Sequence, residues 1–395
     1  MRINFLSYYI KINKKAFYLA AFLSALALTM LVINTGKMDY SHPDFSQNWD
    51  HHNYISMAQN SVGEYNIAPF CWRILNPLLA GLLPFEQSTS FLIMSIASLW
   101  LASLLMYLII LKLGFSEIFS IAGILFFLSL SWITKYNIYN FWLTDPLSYF
   151  FILAVILSIL IGNDTSFAIF LTLGVLAKES VLFFALLYFT LNNDGVLSGK
   201  LWLRGTLLIL PAIALLIFLR VSIPALNNDP EYVAKVSPFI NPVPVYGLMT
   251  FLKEIGFPRI ANFSLQELPS YSYGVFGLTL SFFSVVNLRE NFGIFLKYFP
   301  VVTLVYLSLL FVVNTERAVV IFFPLMIIMA LRGMKYLSVR LQVTETPFLV
   351  LPSVLLLYLI LKNYYTPLSP LYEAVLLIVF LGGIIIFRKH KFIKC

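Results

Sequence analysis

The chain has 395 residues, of which 60% are hydrophobic and only 11% charged. A soluble domain carries about 25% charged residues, so water is excluded as the main solvent. The net charge of +8 comes from basic residues scattered at the ends of apolar runs, which excludes a nucleic-acid footprint with its clustered lysines and arginines.

The apolar residues come in long uninterrupted runs, which mark helices crossing hydrocarbon and not the weak alternation of an outer-membrane barrel. The first run, 16–33, follows Arg2, Lys11, Lys14 and Lys15. Its length, with no small-residue cleavage site behind it, predicts an uncleaved first span. Residues 34–89 then predict a long outer loop. It opens with a polar, aromatic stretch from His42 to Tyr54. There Ser46 or Asn48 can cap a helix reaching about Asn60, with Gly63 just past its end. Later in the loop, Ile74 to Leu83 is apolar but too short to span, and is expected in the interface.

Spans follow at 90–111, 116–134, 146–161, 165–176, 180–191 and 205–222. A second outer loop, 223–270, is rich in proline, and Val245 to Ile255 within it predicts a short interfacial helix ending at Gly256. Spans at 271–288, 294–313, 317–333, 347–361 and 371–387 complete the chain. The expectation is a single all-α polytopic transmembrane domain of about 12 membrane-embedded helices.

The stretch 165–191 reads as one span or as two short helices broken at Ala177-Lys178-Glu179-Ser180. The excess of lysine and arginine on cytoplasmic loops decides between them. Two short helices put the Arg332–Arg340 loop and the basic tail Arg388-Lys389 inside, whereas one span pushes both outside. The hairpin is therefore expected, with both termini cytoplasmic in what reads as a prokaryotic inner membrane. The two cysteines, Cys71 and Cys395, lie far apart and offer neither a disulfide framework nor a zinc knuckle.

On this topology the chemistry-bearing residues fall on the outer face. Asp50, flanked by Trp49 and with Tyr54 one helical turn later, suits a general base acting on a hydroxyl; the alternative is a solvated loop aspartate. His51 and His52 beside Asp44 and Asp50 raise a divalent metal site as one reading. Adjacent helical positions diverge by about 100°, however, which suits hydrogen-bonding or head-group roles better. Arg73 can bind a phosphate bidentately or serve as an interfacial anchor. Asp145, before Pro146, reads as a helix cap or a site residue, with Lys135 as a plausible neighbour.

Lys178-Glu179 lie inside an apolar stretch, where a charge costs roughly 2.5–3.5 kcal/mol on insertion scales. With Glu316-Arg317 at the same outer level, each pair is expected to find partners across the bundle. Lys178 with Glu316, and Arg317 with Glu179 or Asp145, are the expected pairings; a purely structural ion network is the alternative. No glycine-rich nucleotide loop is visible on the inner side.

These features resemble the integral-membrane glycosyltransferases of the GT-C fold. The resemblance rests on Trp49-Asp50-His51-His52-Asn53-Tyr54 early in a large outer loop, Arg73-Ile74-Leu75-Asn76-Pro77, Asp145-Pro146 opening a span, and Ala177-Lys178-Glu179 in a short hairpin. It implies a polyprenyl-phosphate or pyrophosphate sugar donor, drawn from among the membrane lipids, and a glycan, lipid or protein acceptor. Asp50 would take the acceptor proton, and Arg73, Lys178 or Arg317 would offset the charge of the departing lipid phosphate. His51, His52, Tyr54, Asp145, Glu179 and Glu316 would support them. A secondary transporter or flippase is the competing expectation, since a broken helix with intramembrane charges serves it equally well.

Overall fold

The computed structural model describes residues 12–38, 50–60, 65–192, 198–225, 253, 257, 267–310 and 315–393. The expected helix at 245–255, the capping residues Ser46 and Asn48, and Asp44 lie outside the described residues. Among the described residues the predicted apolar runs are helical over most of their length and no strand occurs.

In chain order the helices are α1 (Lys14–Ile33), α2 (Asp50–Gln59), α3 (Leu75–Gly81), α4 (Gln87–Lys112), α5 (Glu117–Ser129), α6 (Lys135–Tyr139), α7 (Asp145–Ile161), α8 (Asp164–Ala177), α9 (Leu187–Leu191) and α10 (Gly199–Ser222). They continue as α11 (Glu267–Val286), α12 (Leu288–Ser308), α13 (Thr315–Val319), α14 (Phe323–Leu341), α15 (Val350–Leu361) and α16 (Pro370–Ile393). Side-chain caps set several starts. Asn13 accepts from the Lys15 amide at 3.1 Å, Ser116 from Phe119 at 3.3 Å and Asn163 from Ser166 at 3.0 Å. Gly162, at φ 70°, ends α7 in the left-handed conformation that glycine adopts without strain.

Among the described residues, five helices are long and apolar enough to cross a membrane: Lys14–Ile33, Gln87–Lys112, Gly199–Ser222, Leu288–Ser308 and the run Thr315–Leu341. Shorter apolar helices include Glu117–Ser129, Asp145–Ile161 and Asp164–Ala177. The architecture fits a multi-pass helical membrane protein. Surface chemistry agrees, because α10 exposes Leu203, Ile217, Phe218 and Val221, the last at 76%. In water so continuous an apolar stripe would associate; in hydrocarbon it is simply solvated.

The core is built from α4, α5, α7 and α14. Helix α7 is buried almost all round, from Pro146 to Leu160. Polar side chains stitch the packing where no hydrophobic force acts between helices. Asn291 Nδ2 on α12 donates to Ser284 O at 2.7 Å and to Met329 O at 3.0 Å, joining α11, α12 and α14. Gly333 lets α14 approach the Phe283 carbonyl so closely that no Cβ would fit.

Two features of the spans matter for the site, the first a departure from expectation and the second the expected hairpin. The span expected over 116–134 ends early, because α5 stops at Ser129 and Thr134 Oγ1 donates back to Leu128 O at 2.9 Å and Leu130 O at 3.1 Å. The chain then runs through α6 and an irregular buried segment to Asp145. Second, 165–191 is folded as a hairpin. The Tyr188 hydroxyl donates to Asp164 Oδ1 at 3.1 Å, and Gly174 packs against Val181. The returning arm is mostly 3₁₀ helix, Glu179–Leu186. Its rise of about 2.0 Å per residue, against about 1.5 Å for α-helix, lets the shorter arm match the longer one.

Candidate functional site

Lys178 forms the apex of the hairpin with φ −162° and ψ 131°, an extended conformation between two helices. In extended backbone successive side chains point to opposite sides. Lys178 therefore reaches Asp145 (Nζ to Oδ1, 2.5 Å), while Glu179 turns the other way to Arg73. The Arg73–Glu179 pair is bidentate, Nε to Oε2 at 2.9 Å and Nη2 to Oε1 at 2.8 Å. This fork pins the segment after the first loop to the hairpin apex.

Asp145 is the hub. Its side chain is 1% exposed and both oxygens are taken, Oδ1 by Lys178 and Oδ2 by Arg317 Nη2 at 2.7 Å. It does not act as a helix cap; Thr144 holds the cap position of α7 and makes no capping bond. Arg317, on the short helix α13, uses its other terminal nitrogen to donate to Asp50 Oδ2 at 3.1 Å. One guanidinium thus bridges a buried carboxylate and one that is 34% exposed. Asp50, the first described residue of α2, is about as exposed as Glu179 (34% and 33%), but only one of its oxygens is held in an ion pair, whereas both oxygens of Glu179 are taken by Arg73.

Around this core lie supporting groups. Tyr54, one turn after Asp50, is fully buried. Burial and the Asp50 charge push its phenol up, against the pull of Arg73. The Tyr54 hydroxyl faces the Arg73 guanidinium and the Thr144 side chain. The His51 and His52 rings pack at 3.9 Å between centroids. Burial, aided by His52, holds His51 down at about 4, so it is neutral at physiological pH. The irregular segment that delivers Asp145 is braced by Asn76 Nδ2, which donates to Leu143 O at 3.4 Å, and by Ser95 Oγ, which donates to Phe141 O at 2.7 Å.

Two expected partnerships, Lys178 with Glu316 and Lys135 with Asp145, are corrected, and of the two partners expected for Arg317 one is selected. Lys178 pairs with Asp145 and not with Glu316. Glu316 is half-buried and makes no ion pair among the described residues. Arg317 takes Asp145 and leaves Glu179 to Arg73. Lys135 does not neighbour Asp145 in a bond; its buried ammonium donates to the Leu359 carbonyl at 2.7 Å, and burial pulls it down to about 8. The reason is shared: sequence separation places charges at one level of the bundle, while only packing decides which face which. No group of three or more histidine, cysteine, aspartate or glutamate side chains gathers among the described residues. A metal site using His51, His52 and Asp50 would need ligands from elsewhere, Asp44 included.

One carboxylate escaped the sequence reading as a special residue. Glu373, in the first turn of α16, is buried at the point where α11 breaks at Gly277 (φ 75°, ψ 166°). Its Oε2 accepts from the Thr279 amide at 2.8 Å and from Thr279 Oγ1 at 3.2 Å, capping the second half of α11. A glutamate near the start of an apolar run is the only signal, and it does not reveal a partner so distant in sequence.

The arrangement sums to three cations facing three carboxylates, with Asp50 and Glu179 partly exposed and two cations converging on the buried Asp145. No protein-family model matches the chain, and no curated protein matches it.

Proposed function

We propose that the protein is an integral-membrane glycosyltransferase of the GT-C type, with about 12 membrane-embedded helices, that transfers a sugar from a polyprenyl-phosphate or pyrophosphate donor to an acceptor hydroxyl on the outer face. The observation that carries this reading is the Arg317 bridge between the accessible Asp50 and the buried Asp145. A base must be ionised, oriented and reachable. Arg317 orients Asp50 through one oxygen and leaves the rest of the carboxylate to an acceptor.

In this reaction the acceptor oxygen attacks the anomeric carbon as Asp50 takes its proton. The bond from that carbon to the phosphate oxygen breaks, and the electron pair leaves with the lipid phosphate. A single displacement inverts the centre and needs no covalent intermediate. The charge balance supports the assignment. Asp50, Asp145, Lys178 and Arg317 sum to zero when Asp50 is ionised. When Asp50 takes the proton the group becomes a net cation, as the leaving phosphate gains negative charge. Lys178 and Arg317 are the cations placed to meet it. Arg73, held bidentately by Glu179, serves chiefly to lock the hairpin apex. Metal is not required for this proton transfer, and a divalent ion would act on the donor phosphate.

The test is sugar transfer from a lipid-linked donor by protein in liposomes. Asp50→Asn keeps the size and the Arg317 contact while removing the base, so transfer falls by about 10²–10⁴-fold with unchanged thermal unfolding. Full activity in that variant ends the assignment.

A second reading, a secondary transporter or flippase, draws on one observation. The break of α11 at Gly277 beside the buried Glu373 gives a discontinuous helix whose half-helix terminus faces a carboxylate. Flux of lipid-linked or free sugars into proteoliposomes, persisting in Asp50→Asn, would favour it.

A further inference from the structure

Beside the ion cluster sits a group of aromatic rings that the reaction does not use. Trp132, Tyr136 and Tyr139 come from the irregular segment and α6; Tyr365 comes from the linker between α15 and α16. Ring centroids lie at 4.8 Å for Trp132–Tyr136, 5.7 Å for Trp132–Tyr365, 5.1 Å for Tyr136–Tyr365 and 5.9 Å for Tyr139–Tyr365. All four are half-buried, so each still presents ring surface outward.

Core packing does not account for them. Among the described residues, none of the three phenol hydroxyls nor the Trp132 indole N–H has a hydrogen-bond partner, a capacity a ligand rich in hydroxyls could use. The cluster is also continuous with the charged site. The Tyr136 phenol lies within the electrostatic reach of Arg317, Asp145 and Asp50, and its ring contacts Tyr365. A pyranose has a face of C–H groups, weakly positive, that suits the negative face of an aromatic ring, and a rim of hydroxyls that suits phenols.

We propose that Trp132, Tyr136, Tyr139 and Tyr365 form a carbohydrate platform that holds a pyranose ring of the acceptor beside Asp50. The proposal rests on the glycosyl-transfer reading for its place in the reaction, but sugar binding itself is independent of catalysis. Tyr136 is the link that carries the ring toward the carboxylate. Tyr365, arriving from a separate part of the chain, closes the platform from the far side.

Saturation-transfer NMR tests it, with the protein in phosphatidylcholine nanodiscs, because sugar-headed detergents would compete. The probes are the methyl glycosides of glucose, galactose, mannose and N-acetylglucosamine. The expected result is saturation of the ring C–H protons of at least one glycoside. Trp132→Ala and Tyr365→Ala each reduce it about fivefold, while Tyr365→Phe, which keeps the ring, retains most of it. No signal above empty nanodiscs for any of the four overturns the platform. So does a signal that both alanine variants leave intact. If those variants only lower the unfolding temperature or membrane partitioning, the rings are an interfacial anchor and the platform is again overturned. Asp50→Asn separates the two proposals: sugar binding retained with transfer unimpaired removes the base assignment and leaves the platform, whereas transfer lost with no sugar binding in any form does the reverse.

Discussion

Two buried carboxylates, Asp145 and Glu373, solve the same electrostatic problem in opposite ways. Asp145 is held by two cationic side chains, Lys178 and Arg317. Glu373 is held by a backbone amide and a hydroxyl at the break in α11. A carboxylate satisfied by mobile side chains sits in a set of charges that can rearrange, which is what the proposed reaction requires of it. One satisfied by the start of a helix is spent on the fold. The contrast separates the proposed site from a structural cap, although both acids are almost wholly buried.

The sharpest way to break the comparison is Arg317→Ala. It leaves Asp145 with one cation and Asp50 unoriented, so it should abolish transfer and cost about 3–5 kcal/mol of stability, read by unfolding in detergent. Activity surviving that change would place Arg317 outside the chemistry. Next comes Gly277→Ala. The φ of 75° and the approach of Glu373 Oε1 leave no room for a Cβ, and a loss of about 1–3 kcal/mol is expected with transfer per folded molecule unchanged. Glu373→Gln keeps an acceptor for Thr279 and should cost about 1 kcal/mol. If it instead abolished transfer while folding persisted, Glu373 would belong with Asp145 and the contrast would fail.

The smallest effect concerns pH. His51 is neutral in the fold down to about 4, against 6.5 for the free side chain. Between those values the unfolded chain binds the proton that the folded one refuses. Stability should therefore decline as pH falls from 6.5 toward 4 and be flat above 6.5, as far as this group is concerned. His51→Gln should flatten that decline in a thermal-melt series, and an unchanged slope would assign it to other groups.

Much of the cluster was legible because charge in an apolar run is costly enough to need a reason. That argument singled out Lys178, Glu179 and Arg317, and the hairpin at Lys178 followed from the positive-inside balance. It failed for Glu316, which has the same sequence setting as Arg317 but no ion pair among the described residues. Adjacent helical residues point in different directions, and sequence does not say which one faces the bundle. Asn76 and Ser95, which brace the segment carrying Asp145, were invisible for a related reason. A side chain bonding to a distant carbonyl leaves no spacing pattern.

Composition by itself determined the helical class and the approximate positions of the apolar helices, because these follow from transfer free energies summed along contiguous residues. Tertiary structure alone decided that α5 stops at Ser129, that Arg317 joins Asp50 to Asp145, and that Tyr365 comes to lie against Tyr136. Those are contacts between residues far apart in the chain, fixed by helix packing and by which buried charges find counter-charges, and no local free energy encodes them.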